Sequence, residues 1–308
     1  MRNIGYTGIR SQVEILISAT IEKVQLSLGF SGNLGILKHG KLLRTGLGER
    51  LAESGGYRGD PGVLAHACAA TELVHTASLC HDDVIDSGEM RRGMETLWKV
   101  ITPSAAVLIG DMLFCEALEM LQRTAGGRYL ASFIARIREV CITEIEQELL
   151  LRGKPLDDFT CMRIARQKTG PLFAFIGQVS GAEDPALAGA LEESGYRIGT
   201  AYQLADDLLD RIGDERLCGK TLGTDALRGK YTLPQSPVNA GAIQEKVAEL
   251  CRSALECIER WPEARAGVEQ FLAYDLKATF DRIHMEMDFS SSNYQNEEHE
   301  TVRNPTDA

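Results

Sequence analysis

The sequence predicts an all-α protein, a helical bundle, and two observations carry that prediction. Apolar residues recur at three- and four-residue spacing along the chain, as in Val13, Leu16, Ile17, Ile21, Val24 and Leu28. The same spacing returns in Leu73, Val74, Ala77 and Ser78 and in Ile198, Ala201, Tyr202 and Ala205, whereas strand-like alternation is scarce. Turn signals cut the chain into about eight to ten helices, as expected of one bundle of this size. The first stripe closes at Ser31-Gly32-Asn33, and the next segment closes at Gly55-Gly56. A third opens at Asp60-Pro61-Gly62 and stops at Ser87-Gly88; a fourth opens at Thr102-Pro103 and stops at Gly126-Gly127; another ends at Gly153-Lys154-Pro155. Asp157-Asp158 starts a helix that runs to Gly181, Asp184-Pro185 starts the next, and a last helical run spans Ala242 to Trp261.

Composition bounds the function. Of 308 residues, 44% are hydrophobic, 25% charged and 6% aromatic, which supports a packed core and excludes collagen-like, mucin-like or wholly disordered chains. Lys and Arg total 33 against 44 Asp and Glu, and the resulting charge of -11 argues against coating nucleic acid or acidic membrane. The eight cysteines are scattered without a CxxC pair, the pattern of reduced, buried thiols in a cytoplasmic protein. No basic-apolar leader opens the chain, and no stretch approaches the roughly 18–20 apolar residues of a membrane span. A single domain over residues 1–289 is expected, with residues 290–308 a polar, disordered tail.

Two aspartate clusters carry the chemistry. His81-Asp82-Asp83-Val84-Ile85-Asp86 puts Asp82 and Asp86 one turn apart on a helix face, and Ala205-Asp206-Asp207-Leu208-Leu209-Asp210 repeats the pattern. Like charges at that spacing destabilise an isolated helix, so a cation should offset them. Aspartate oxygens are hard ligands, and magnesium takes one or two carboxylates and completes its shell with water and phosphate oxygens. Arg91-Arg92-Gly93, Lys168-Thr169, Lys220 and Lys230 lie beside the clusters, with Lys41, Arg44 and His75 upstream. In an acidic chain this grouping points to phosphate held between metal and cationic side chains.

These residues resemble the trans-isoprenyl diphosphate synthase, or polyprenyl synthetase, family from about Gly40 to Pro234. The resemblance rests on Gly40-Lys41-x-x-Arg44, His75 through Asp86, Arg91-Arg92-Gly93, Gly110-Asp111, Lys168-Thr169 and Gln203-x-x-Asp206-Asp207-x-x-Asp210. It continues through Gly219-Lys220, Gly223-x-Asp225 and Gly229-Lys230-x-Thr232-Leu233-Pro234. It implies an isoprenoid synthase bundle around a deep central cavity and head-to-tail condensation of isopentenyl diphosphate with an allylic diphosphate. The steps are ionisation, condensation and elimination. By the same resemblance Asp82, Asp83, Asp86, Asp206, Asp207 and Asp210 bind magnesium, three ions per site with substrate bound. Arg91, Lys168, Lys220 and Lys230 contact the allylic diphosphate, and Lys41, Arg44, His75 and Arg92 hold isopentenyl diphosphate. Thr169 and Gln203 line the carbocation path, and the chain forms a homodimer.

Product length in this family follows cavity depth below the first cluster. The small Ala77 and Ser78 favour a medium- or long-chain all-trans polyprenyl diphosphate, with geranylgeranyl or farnesyl diphosphate as the alternative. Phe114, Leu118, Phe133 and Ile137 are candidates for the floor. A greasy product suggests transient membrane contact for its release. Thr45 stands where the family has proline, and the stretch after Pro234 is shorter than usual, which leaves room for a subunit of a heteromeric synthase. A terpene cyclase would not carry two DDxxD motifs. A phosphate-loop nucleotidase is excluded because Asp214 stands where its motif requires glycine. Apolar helix surface near Gly110 to Met120 suits a dimer interface, and Glu144 with Glu148 reads as a solvated helix face.

Overall fold

The computed structural model of the chain describes residues 8–30, 34–38, 40–91, 93–212 and 239–285. Arg92, Lys220, Lys230, the stretch after Pro234 and the tail lie outside them. Eleven α-helices make up most of the described residues. The only strands there are a two-stranded hairpin, β1 (Met90–Arg91) paired antiparallel with β2 (Met94–Glu95) around Gly93.

α1 (Ile9–Ser27) buries the stripe Ile9, Val13, Ile17, Ile21 and Val24. Leu28, expected in that stripe, lies past the last helical residue and is exposed. α2 (Leu43–Glu53) follows Leu42, which takes a left-handed φ of 50°. α3 (Pro61–Ile85) starts where the sequence expects: Pro61 fills the first turn, and the Asp60 side chain accepts from Gly62 N at 2.8 Å. It ends at Asp86, before Ser87 at a φ of 50°. α3 also corrects an expectation, because its length and its mean hydropathy of 1.2 suffice for a membrane span; 67% of that window is instead buried inside the protein.

After the short α4 (Leu97–Val100), α5 (Pro103–Arg123) is capped by Thr102 Oγ1, which accepts from Ala105 N at 3.1 Å. α6 (Leu130–Glu146) continues through a π turn at Gln147–Leu151. α7 (Asp158–Ser180) starts on Asp157 Oδ1, which accepts from Thr160 N at 2.7 Å, and α8 (Pro185–Ile212) runs back along it. α9 (Ala240–Glu256), α10 (Pro262–Gln270) and α11 (Lys277–Arg282) close the described chain.

Packing fixes the directions of the helices. A Cβ on Gly199 would lie 2.6 Å from Gly170 Cα, and one on Gly181 would lie 2.2 Å from Ala188 Cα, so α7 and α8 are antiparallel with backbones in contact. Glu144 meets Lys168 while Ser132 meets Gln178, so α6 is antiparallel to α7. His81 meets the Val107 carbonyl and Ala77 meets Gly110, so α5 is antiparallel to α3. Each fully buried Ile, Leu or Phe of this core contributes about 1.5–3 kcal/mol.

Candidate active site

The first aspartate cluster occupies the C-terminal end of α3. Asp83 is 7% exposed and is turned to the hairpin, where its two oxygens meet Arg91 Nε at 3.0 and 3.1 Å and Oδ1 meets Nη2 at 2.7 Å. Burial pulls the Arg91 guanidinium down, but the bonds to Asp83 outweigh it and leave Arg91 raised above its ordinary value. Asp82 and Asp86, one turn apart, are half-buried at the same helix end. His81 Nε2 sits 3.1 Å from the Val107 carbonyl and 3.3 Å from Asp111 Oδ1, and a Cβ on Gly110 would fall 2.4 Å from that nitrogen. Glycine at 110 is therefore what lets His81 lie against α5.

The second cluster occupies the C-terminal end of α8. Asp207 is buried, and its Oδ1 accepts from Gln203 Nε2 at 2.7 Å, while Gln203 Oε1 accepts from the Thr169 hydroxyl. The bare contact of Gly170 with Gly199 brings Thr169 within reach of Gln203. Asp206 and Asp210 are half-buried on the same last turns. Cys161, in the first turn of α7, has its thiol pushed up to about 11 by burial and by Asp158 and Asp207, which puts the start of α7 beside this cluster.

Lys168 and Thr169 tie α7 to its two neighbours, Lys168 to Glu144 of α6 and Thr169 to Gln203 of α8. Lys168 Nζ lies 2.8 Å from Glu144 Oε1 of α6, each side chain 26% exposed. One turn earlier on α6, burial and the charges of Glu144 and Asp82 raise the Cys141 thiol, so this face of α6 looks toward the first cluster. Glu144 is thus no solvated helix face: its counter-charge lies 24 residues away in sequence, beyond any local pattern.

The upstream basic set is spread over two elements. Lys41 is exposed just before α2, and its carbonyl accepts from Arg10 Nη1 at 3.3 Å. Arg44 is buried over the Phe173 ring at 5.2 Å, and burial depresses its guanidinium while Glu72 offsets part of that shift. Its buried Nε has no hydrogen-bond partner. His75 is half-buried on α3, where its carbonyl accepts from Ser78 Oγ at 2.9 Å. Ala77 is fully buried. Sequence reasoning missed Glu72, whose Oε1 accepts from both Thr45 N (3.0 Å) and Thr45 Oγ1 (3.2 Å).

Two helices that end in aspartate clusters, the second tied through Gln203 to Thr169 of α7 and flanked by Lys168, fit an α-helical isoprenoid synthase. The sequence match to the polyprenyl synthetase family covers residues 33–273, and the chain belongs to that family. It is 31% identical over 245 residues to the octaprenyl diphosphate synthase of Escherichia coli, covering 78% of this chain and 75% of that protein. It is 36% identical over 201 residues to the short chain isoprenyl diphosphate synthase of Methanothermobacter thermautotrophicus, covering 63% of this chain and 61% of that protein's length. Among solved structures, a polyprenyl synthase from Caulobacter crescentus, complexed with calcium and isoprenyl diphosphate, matches with a TM-score of 0.76 at 25% identity. That match covers 89% of this chain and 95% of the other. The resemblance read from the motifs is borne out, and the protein is a trans-prenyltransferase.

Proposed function

We propose that the protein condenses isopentenyl diphosphate head-to-tail with an allylic diphosphate and releases a medium- or long-chain all-trans polyprenyl diphosphate. The observation that supports this reading is the chain from Thr169 through Gln203 to Asp207, with Lys168 beside it paired to Glu144 of α6. Magnesium, three ions per site with substrate bound, fits the donor set. Every candidate ligand is a carboxylate oxygen. That suits an ion that fills its shell largely with water and phosphate oxygens. Bound there, it would supply Lewis-acid neutralisation of the leaving diphosphate's charge.

Asp82 and Asp86 from α3, with Asp206, Asp207 and Asp210 from α8, hold the metal, and Asp83 serves by orienting Arg91. Arg91 and Lys168 contact the allylic diphosphate together with Lys220 and Lys230. Lys41, Arg44, His75 and Arg92 hold isopentenyl diphosphate, and the orphan Nε of Arg44 is a donor awaiting such a partner. Thr169 gives its hydrogen to Gln203, which leaves its lone pairs to stabilise the carbocation. The released diphosphate takes the proton that elimination sets free. Apolar walls keep water from the cation.

Ala77 and Ser78 support the longer product. A geranylgeranyl-sized product is the second reading, favoured by the fully buried Phe133 and Phe175, whose rings pack tilted with centroids 4.6 Å apart between α6 and α7. The same chain is proposed to work in the cytoplasm as a homodimer and to touch membrane transiently at product release. Within the expected stretch Leu113 and Ala117 of α5 are core, so the dimer face is proposed to use the outward side of α5 together with α6. On these two helices the exposed large apolar residues are Leu108 of α5 and Ile134, Ile142 and Ile145 of α6. Ile145→Glu should convert dimer to monomer in analytical ultracentrifugation; an unchanged mass would remove this face from the interface.

The test is incubation with magnesium, labelled isopentenyl diphosphate and geranyl or farnesyl diphosphate, followed by resolution of dephosphorylated products by length. Condensation should be lost with a chelator and should fall by about 100-fold or more in Asp82→Ala and Asp206→Ala. Wild-type protein that condenses neither primer would overturn the proposal.

A further inference from the structure

We propose that Glu144 is the resident counter-ion of Lys168, occupying the ammonium until the allylic diphosphate displaces it, and so sets how tightly that diphosphate is held. The inference rests on the reading of Lys168 as a diphosphate contact. Nothing in that reading calls for a carboxylate on α6, since the metal-holding aspartates sit on α3 and α8.

The geometry argues for a role beyond joining two helices. Glu144 Oε1 and Lys168 Nζ are 2.8 Å apart and each side chain is about a quarter exposed, so the pair is partly desolvated yet reachable from solvent. It sits at the junction of the site. Cys141, one turn away on α6, feels both Glu144 and Asp82, and Thr169, the next residue after Lys168, bonds through Gln203 to Asp207. A further carboxylate near the acidic clusters makes an already negative potential more negative, and the lysine at 2.8 Å offsets it. A diphosphate brings more negative charge than one carboxylate and arrives at the same ammonium. The four-carbon stem of lysine lets that ammonium swing from one anion to the other without backbone movement. Diphosphate binding therefore gives up the Glu144 contact, and diphosphate departure restores it. Glu144 lowers affinity at the site and favours release.

Glu144→Gln keeps the shape of the side chain and removes its charge. Isothermal titration of inorganic diphosphate in excess magnesium, into wild type, Glu144→Gln, Lys168→Ala and the double variant, separates the outcomes. Thermal unfolding of each variant checks that it is folded. The single Glu144→Gln change should tighten the diphosphate Kd by about three- to tenfold, Lys168→Ala should weaken it, and adding Glu144→Gln to Lys168→Ala should change nothing further. An unchanged or weaker Kd in Glu144→Gln would show a merely structural pair and overturn the inference. An equal gain in the Lys168→Ala background would assign the effect to net charge alone and overturn it too. Wild-type protein that binds no diphosphate would overturn the reading of the site itself, and this inference with it.

Discussion

The family resemblance implies proline at the position of Thr45, and the structural setting of Thr45 explains how the chain does without it. Proline would supply no N–H, whereas Thr45 gives both N–H and hydroxyl to Glu72, a carboxylate only 4% exposed. Glu72 in turn lowers the cost of burying the Arg44 guanidinium. Thr45→Val keeps the shape and the N–H but deletes one bond to a buried charged acceptor. It should destabilise the protein by about 1–3 kcal/mol in urea denaturation. Thr45→Pro, which removes both donors, should cost more, and an unshifted midpoint in either variant would mean that Glu72 does not depend on Thr45. The Asp83–Arg91 fork makes the same argument from the other side. Arg91→Lys keeps the charge but loses the planar donor pair, so it should raise the KM for allylic diphosphate more than it lowers kcat.

At the scale of the element, the ends of helices were legible and their contacts were not. The starts of α3, α5 and α7 follow from Asp60-Pro61, Thr102-Pro103 and Asp157, because capping is decided within three residues. The continuation of α7 through Pro171 is not local in that sense. Proline removes the bond to Gln167 and argues for a break, yet the helix is held by its packing on α8. The hairpin that aims Arg91 was invisible too, since two-residue strands leave no alternating pattern. Both aspartate clusters, Lys168, Thr169 and Gln203 were legible as motifs. What brings Thr169 and Gln203 into one network is the α7–α8 seam, and that seam is testable. Gly199→Ala would push a methyl to 2.6 Å from Gly170 Cα, backbone that cannot yield cheaply. It should destabilise by about 1–3 kcal/mol in thermal or urea unfolding and should lower kcat by drawing Gln203 from Thr169. Full activity with native stability would refute the seam as the device that positions these residues.

At the scale of the whole molecule, the open question is depth. Below the Glu144–Lys168 pair, α6 carries Cys141, Ile137 and Phe133 and α7 carries Leu172 and Phe175 at three- and four-residue spacing, so the two stripes share facing sides of their helices. Phe175 is seven residues along α7 from Lys168, a descent of about 10 Å at the helical rise, and it closes on Phe133 with rings 4.6 Å apart. An extended isoprenoid chain that starts at the diphosphate would meet this pair after its first few units. Across the bundle on α3, Ser78 lies one turn below Asp82 and presents no such obstacle, which is why sequence alone favoured a long product. The two walls make opposite predictions for two variants. Phe133→Ala should lengthen the product by one or more isoprene units in the condensation assay if the aromatic pair is the floor. Ala77→Phe should shorten it if α3 carries the limiting wall. Products that lengthen with Phe133→Ala and ignore Ala77→Phe would place the limit between α6 and α7 and favour the geranylgeranyl-sized product. The reverse pattern would place it on α3, with the aromatic pair serving as core and the growing chain passing beside it.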